Sequence, residues 1–395
     1  MEKQLKCVLL LPLKEMALRR VVVLLWSDPD ILASISKLPI QWYYKDENRK
    51  PWLKTIVNKV KDKVSKLELP KSLTKRMIHI VHPIGVEIRR WKEIHQDRFS
   101  ILLEDINLRV WVKLCWTTAG TIDDKKTAEA LIRCDVLDVQ KRFQLACVYC
   151  LEDYIPLLWE ELHRDLKDLY QNENSSSVPY FCWPHILKGE LDVLDFLWRT
   201  SDRKLTSFNQ WAFEHSAEEG NKTAAEYFFQ KLTHEEREAS LMRTAHVVLA
   251  YANIYFLERR RFDLVCYFLT LMTPEQQMEL VKARPIEVLS CFFDWPLQDL
   301  LLENAGLIWT FLPPSGYDYL LHDMADRFDY HYFPKLFQEF FMQSPLDFQK
   351  FFVGEKSKFS HNLPFVIMES EDSETIGSYL QKCRCCRQSG TCILF

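Results

Sequence analysis

The sequence predicts an all-α protein: an N-terminal helical domain, then an antiparallel helix-pair solenoid, then a C-terminal helical cap. Three observations carry this expectation. Apolar residues recur at spacings of three, four and seven along most of the chain from residue 11. Glycine is scarce, nine in 395 residues, which disfavours phosphate-cradling loops and hairpin-rich β folds that depend on it. From about Thr127 onward, short helical segments recur in pairs around turns. With 48% hydrophobic and 13% aromatic residues, the chain has enough apolar surface to form a core.

Residues 1–126 form a basic N-terminal helical region. In it, Leu53, Ile56, Val57, Val60, Val64 and Leu67 fall on one stripe of a helix that Pro70 stops. The next helical stretch is expected to break at Pro83 and Gly85. The segment up to Trp116 stays apolar, with β-branched and aromatic residues that leave helix and strand both open. Residues 127–310 hold the helix pairs. Their segments are Phe143–Trp159, His185–Trp198, Phe213–Phe229 and Ala252–Leu269, with turns at Cys150, Gly189, Gly220 and Arg260. A poorer fifth copy centres on Phe293. Four and five residues after each turn stand the pairs Tyr154 and Ile155, Val193 and Leu194, Ala224 and Ala225, and Leu264 and Val265, expected to pack on the next unit. Residues 311–368 read as a helical cap with a turn at Pro313 to Gly316, and residues 369–395 as a flexible Cys-rich tail.

Leu145, Ala146 and Cys147, then Gly189 with Val193, Leu194, Leu197 and Trp198, then Ala217 with Gly220, Asn221, Phe228 and Phe229 follow one helical grammar. These residues resemble the ankyrin repeat in a divergent form, over roughly residues 127–310. The T-P-L-H opening is missing, two of the four turns lack glycine, and the turn spacings of 39, 31 and 40 depart from the period of about 33. Other antiparallel helix-pair arrays share this trace. The resemblance implies a non-enzymatic protein-interaction scaffold whose partner is another protein.

Charge is segregated along the chain. Residues 1–150 carry 28 Lys/Arg and 18 Asp/Glu, net +10, and residues 151–395 carry net −14. The basic run at residues 50–92, with Trp52 and Trp91 beside it, suits an anionic membrane surface or phosphate groups, or a solvated helix face. Nucleic-acid motifs are absent, so no specific nucleic-acid partner is expected.

Cys147 and Cys150 form a C-x-x-C inside an apolar helix pair, which reads as core rather than metal or redox chemistry. His79 and His82 sit three apart on a helix with no carboxylate pair or third ligand beside them, and His322 and His331, which flank Asp323, Asp326 and Asp329, read as hydrogen-bonded packing residues of the aromatic cap. No catalytic residues, cofactor or metal ligands are assigned.

The run CRCCRQSGTCILF places Cys392 in a C-a-a-X prenylation pattern, with Cys383, Cys385 and Cys386 as candidate palmitoylation sites among basic residues. A reactive tail or weak metal clip is the other reading. This pattern makes a peripheral membrane adaptor the alternative function. The apolar run Cys7 to Leu13 lacks a cleavage site and no stretch suits a membrane span, so a cytoplasmic location is expected, membrane-associated if the tail is lipidated.

Overall fold

A computed structural model describes residues 4–36, 53–97, 113–134, 137–172, 179–199, 204–252, 261–326 and 334–353. Among these the secondary structure is helical, with an isolated antiparallel bridge between Trp116 and Ile122. The chain divides into two compact units. The larger comprises Leu11–Tyr251 and Tyr255–Leu264; the C-terminal unit comprises Met1–Leu10, Ala252–Ile254 and Val265–Phe395.

In the larger unit, α1 (Leu13–Trp26) and α2 (Pro29–Ser36) precede a π-turn, Leu53–Val57, that runs into α3 (Asn58–Ser65). The predicted stripe is buried at Ile56, Val57, Val60 and Val64, facing a core that also holds Val22 and Trp26. Leu67 lies past the end of α3 and is exposed, and the chain leaves the helix through Glu68 at φ 50. Helix α4 (Lys71–Asp97) runs unbroken through Pro83 and Gly85, which corrects the expected interruption.

The reason is tertiary. Trp26 Nε1 donates to the Val81 carbonyl at 2.9 Å, and the indole lies against Gly85, where an added Cβ would sit 2.1 Å from Trp26 Cζ2. Gly85 is the hole that lets α1 press on α4. This fully buried clamp holds the turn that the proline weakens.

Beyond the Trp116–Ile122 bridge, Asp123 caps α5 (Asp124–Ile132) and Asp138 caps α6 (Val139–Val148). Then follow α7 (Ile155–Glu161), α8 (Arg164–Asn172), α9 (Pro179–Lys188) and a 3-10 turn, Leu191–Leu194, leading into α10 (Asp195–Arg199). Ser207 caps α11 (Phe208–Glu218), Asn221 caps α12 (Lys222–Lys231), and α13 (His234–Ala252) follows. Helix α5 packs on α6, α6 on α7 and α9, and α11 on α12.

Glu236 joins two of these helix starts. It forms a capping box with Thr233 at the head of α13, and its other oxygen accepts from Thr206 at 2.9 Å and Ser207 at 2.5 Å ahead of α11. Burial would raise its carboxyl pKa, but the bonds from Ser207, the Thr233 amide and Thr206 outweigh it and hold the group below its ordinary 4.5. A carboxylate depressed on folding contributes stability that is present above the unfolded value and lost as pH falls through the folded one. Urea unfolding at pH 6 and pH 3 is therefore expected to show a larger acid loss for the intact chain than for Glu236→Gln. Equal losses would remove Glu236 as a source of acid sensitivity.

Helix α14 (Arg261–Leu271) leads to α15 (Pro274–Ala283), which opens on a Thr273/Gln276 capping box, and then to α16 (Pro285–Ser290). Two 3-10 turns, Cys291–Phe293 and Leu297–Leu300, lead to α17 (Leu301–Ile308) and a third, Trp309–Phe311. The expected turn at Pro313 to Gly316 is instead the entry and first turn of α18 (Pro314–Asp326), with Pro314 at the first helical position, where its missing N–H costs nothing. With α19 (Pro334–Gln343) and α20 (Leu346–Val353), α18 encloses Trp309, Tyr317, Phe340 and Phe348. Tyr317 bonds Ser344 at 2.9 Å inside that cluster.

Candidate interaction surface

Three of the four turn positions read from the sequence are described, and their backbones match. Cys150, Gly189 and Gly220 have φ of 51, 72 and 72. At each, the amide of the turn residue bonds the carbonyl three residues back: Cys150 to Cys147, Gly189 to Ile186, Gly220 to Ala217. The next amide bonds the carbonyl five residues back: Leu151 to Ala146 at 2.9 Å, Glu190 to His185 at 2.9 Å, Asn221 to Ser216 at 2.8 Å. This is the Schellman closure of a helix C-terminus, used three times. Arg260, the fourth turn, lies outside the described residues.

The register repeats on either side of the turn. Seven residues before it stand Phe143, Cys182 and Phe213, all buried; five residues after it stand Ile155, Leu194 and Ala225, all buried. The position four residues after does not follow. Ala224 is buried and Tyr154 half-buried, but Val193 is 46% exposed. There the chain continues as a 3-10 turn, whose tighter winding rotates Val193 outward.

Gly189 tests the turn geometry cleanly, because a Cβ there would meet nothing within 4 Å. Gly189→Ala is expected to cost about 1 kcal/mol, all of it backbone strain. Gly189→Asn, which tolerates this conformation better, should recover much of the loss in the same denaturation series.

Side chains from α9 and from the start of α12 close the end of α6. Trp183 Nε1 donates to the Cys147 carbonyl at 2.9 Å, and Asn221 Nδ2 to the Val148 carbonyl at 2.8 Å, so two of the last carbonyls of α6 gain donors. The Tyr227 hydroxyl bonds Glu152, just beyond the first turn, and Lys231 pairs with Glu152 at 3.3 Å. The start of α12 thus bonds directly to the end of α6.

Beside this seam is a cleft of about 350 Å³ between the starts of α5 and α12. It is faced by Asp123, Asp124, Glu226 and Asp263 together with Lys125 and Lys222. Asp123 is already engaged, accepting from the Lys126 amide at 3.1 Å and pairing with the Lys126 ammonium at 3.1 Å. Tyr149 forms part of the wall. Because a carbonyl only accepts, the 2.7 Å contact of His95 Nδ1 with Trp91 O places the proton on Nδ1; Nε2 then accepts from the Tyr149 hydroxyl at 2.8 Å. Burial pushes the Tyr149 phenol far above its ordinary range, so it stays a donor. The lining of the cleft is polar and carries both signs of charge.

The C-x-x-C pair is core. Cys147 and Cys150 are buried, and burial pushes both thiols well above their ordinary range; it pushes that of Cys182 up to about 12. A disulfide-exchange reagent at pH 8 is expected to leave these three unmodified in the native chain and to label them on unfolding; rapid native labelling would contradict their placement. Among the described residues, no group of three His, Cys, Asp or Glu is placed to hold a metal.

His79 and His82 both lie on α4. Burial first, then Lys75, Arg76 and Lys61, lower the His79 pKa. His322 bonds its own helix at Asp318 O, 2.7 Å away. His331, Asp329 and the tail cysteines Cys383, Cys385, Cys386 and Cys392 lie outside the described residues. The basic run is partly neutralised: Lys63 pairs with Asp28 at 2.8 Å, Arg76 with Glu15 at 3.1 Å, and Arg90 with Glu87 at 2.8 Å in the interior. Lys66, Lys71 and Lys75 are exposed. Among the described residues no helix is long and apolar enough to cross a membrane.

Comparison with family models finds no match, and comparison with curated proteins finds none.

Proposed function

We propose that the chain is a non-enzymatic protein-interaction scaffold built on ankyrin-like helical hairpins. The observation that carries this reading is the turn closure repeated at Cys150, Gly189 and Gly220 with one register of buried positions. Hairpins of this kind bury one face on each other and leave the turns and outer helices for partners. The bonds from Asn221 and Tyr227 back to the first hairpin make the array short and mutually braced.

The second hairpin offers the contact patch. Leu187, Leu191, Val193 and Phe196 are between 37% and 46% exposed within ten residues of sequence, a density of apolar surface that favours protein contact. An aspartate at both Val193 and Phe196 leaves the buried register untouched. Affinity capture with the intact chain and with this double variant, matched in thermal unfolding, tests the reading. At least a tenfold loss of specifically retained protein is expected, and equal retention would sink the assignment of the patch.

A further inference from the structure

We propose that the α15–α17 face of the C-terminal unit is a groove for an extended peptide, occupied in this structure by the chain's own Leu5–Cys7 and entered by a partner segment that pairs an aliphatic residue with a following lysine or arginine.

The groove reads main chain. Asn304, in α17, has no exposed surface and holds residue 6 at both ends: Oδ1 accepts from the Lys6 amide at 2.8 Å, and Nδ2 donates to the Lys6 carbonyl at 2.8 Å. Gln277, in α15 and 1% exposed, accepts from the Leu5 amide at 3.1 Å. Its orientation is fixed because Nε2 donates to the Leu269 carbonyl at 2.6 Å. Two buried side-chain amides thus direct three hydrogen bonds to a backbone segment far away in sequence. Buried amides must be paired, so this face calls for an extended chain, whatever its side chains.

The side chains supply selectivity. Leu5 is 5% exposed, so an aliphatic group fills the first position. Lys6 pairs with Glu303 at 2.5 Å, and both remain largely in water, so the pair selects a charge sign more than it holds the segment. The Cys7 thiol bonds that of Cys266, and there the grip ends: Val8 is 63% exposed and Leu10 85%. Residues 151–395 carry net −14, which draws a basic segment to this half of the chain. A hold confined to three residues is one that a longer matching segment can displace. This inference does not depend on the hairpin reading of the larger unit.

The test uses the chain lacking residues 2–10, checked for folding by thermal unfolding, and a fluorescent peptide of residues 4–10 carrying Cys7→Ser. Saturable binding is expected, at least tenfold tighter than to the intact chain, where the resident segment competes. Asn304→Leu in the shortened chain, and Leu5→Asp in the peptide, should each weaken binding at least tenfold. If the shortened chain does not fold, the full chain carrying Leu5→Asp and Lys6→Glu takes its place with the same expectations. Absence of saturable binding, or binding indifferent to Asn304→Leu and Leu5→Asp, overturns the groove. Light scattering on the intact chain should report a monomer. A dimer that dissociates when residues 2–10 are removed would make a second copy the occupant and overturn the partner assignment.

Discussion

Replacing Gly85 by alanine is expected to destabilise the larger unit by about 2–3 kcal/mol, the cost of forcing atoms into a packed core that has no room. The added carbon would lie within 2.1 to 2.8 Å of three atoms of the Trp26 indole. Neither side can yield easily, since Trp26 is fully buried and tied to the Val81 carbonyl. At roughly 2–4 °C per kcal/mol for a unit of this size, the melting temperature should fall by about 5–10 °C. Trp26→Leu alone opens a cavity and costs about 3 kcal/mol. In the double variant, however, the two penalties should fall short of their sum by at least about 1 kcal/mol, because the clash is gone. A neutral Gly85→Ala, or strict additivity, would mean that α1 does not press on α4 at this point.

Asn221→Leu is the second large effect, at about 2–4 kcal/mol. Asn221 Oδ1 caps α12 by accepting from the Ala224 amide at 3.1 Å, and losing such a cap costs about 1 kcal/mol. Its Nδ2 serves the Val148 carbonyl in the interior, and an orphaned buried carbonyl adds about 1–3 kcal/mol. Asn221→Asp separates the two contributions: it keeps the cap and removes the donor. Chemical denaturation should place Asn221→Asp clearly below the intact chain in stability. If Asn221→Asp matched the intact chain while Asn221→Leu lost only the cap, the bond to Val148 would contribute nothing.

These two residues mark where the sequence was legible and where it was not. Helical class followed from apolar spacing: Ile56, Val57, Val60 and Val64 are buried on the stripe that their spacing describes. The turns at Gly189 and Gly220 followed from glycine itself, and Cys150 from register alone, since cysteine carries no conformational signal for a left-handed turn. Gly85 misled, because a glycine two residues after a proline reads as a break, and only the position of Trp26 in space turns it into a contact site.

The bonds that join elements were the least legible. Asn221 after a turn glycine is readable as a helix cap, but nothing local says that its amide reaches Val148, 73 residues away. The same holds for Asn304 and Lys6, separated by 298 residues. Long-range pairing of polar side chains with main chain leaves no periodic trace. The expectation for Val193 failed for a local reason, the 3-10 winding of Leu191–Leu194, which the apolar pattern of that segment does not distinguish from an α-turn.

The bracing of the end of α6 by the start of α12 is tested most directly by amide hydrogen exchange on the intact chain and on Asn221→Leu. A change at Asn221, ahead of α12, is expected to deprotect the end of α6. Exchange of the Leu151 amide, bonded to Ala146, and of the amides in the last turn of α6 should accelerate at least tenfold in the variant, together with α12. Faster exchange confined to α12, with the end of α6 as protected as before, would contradict it.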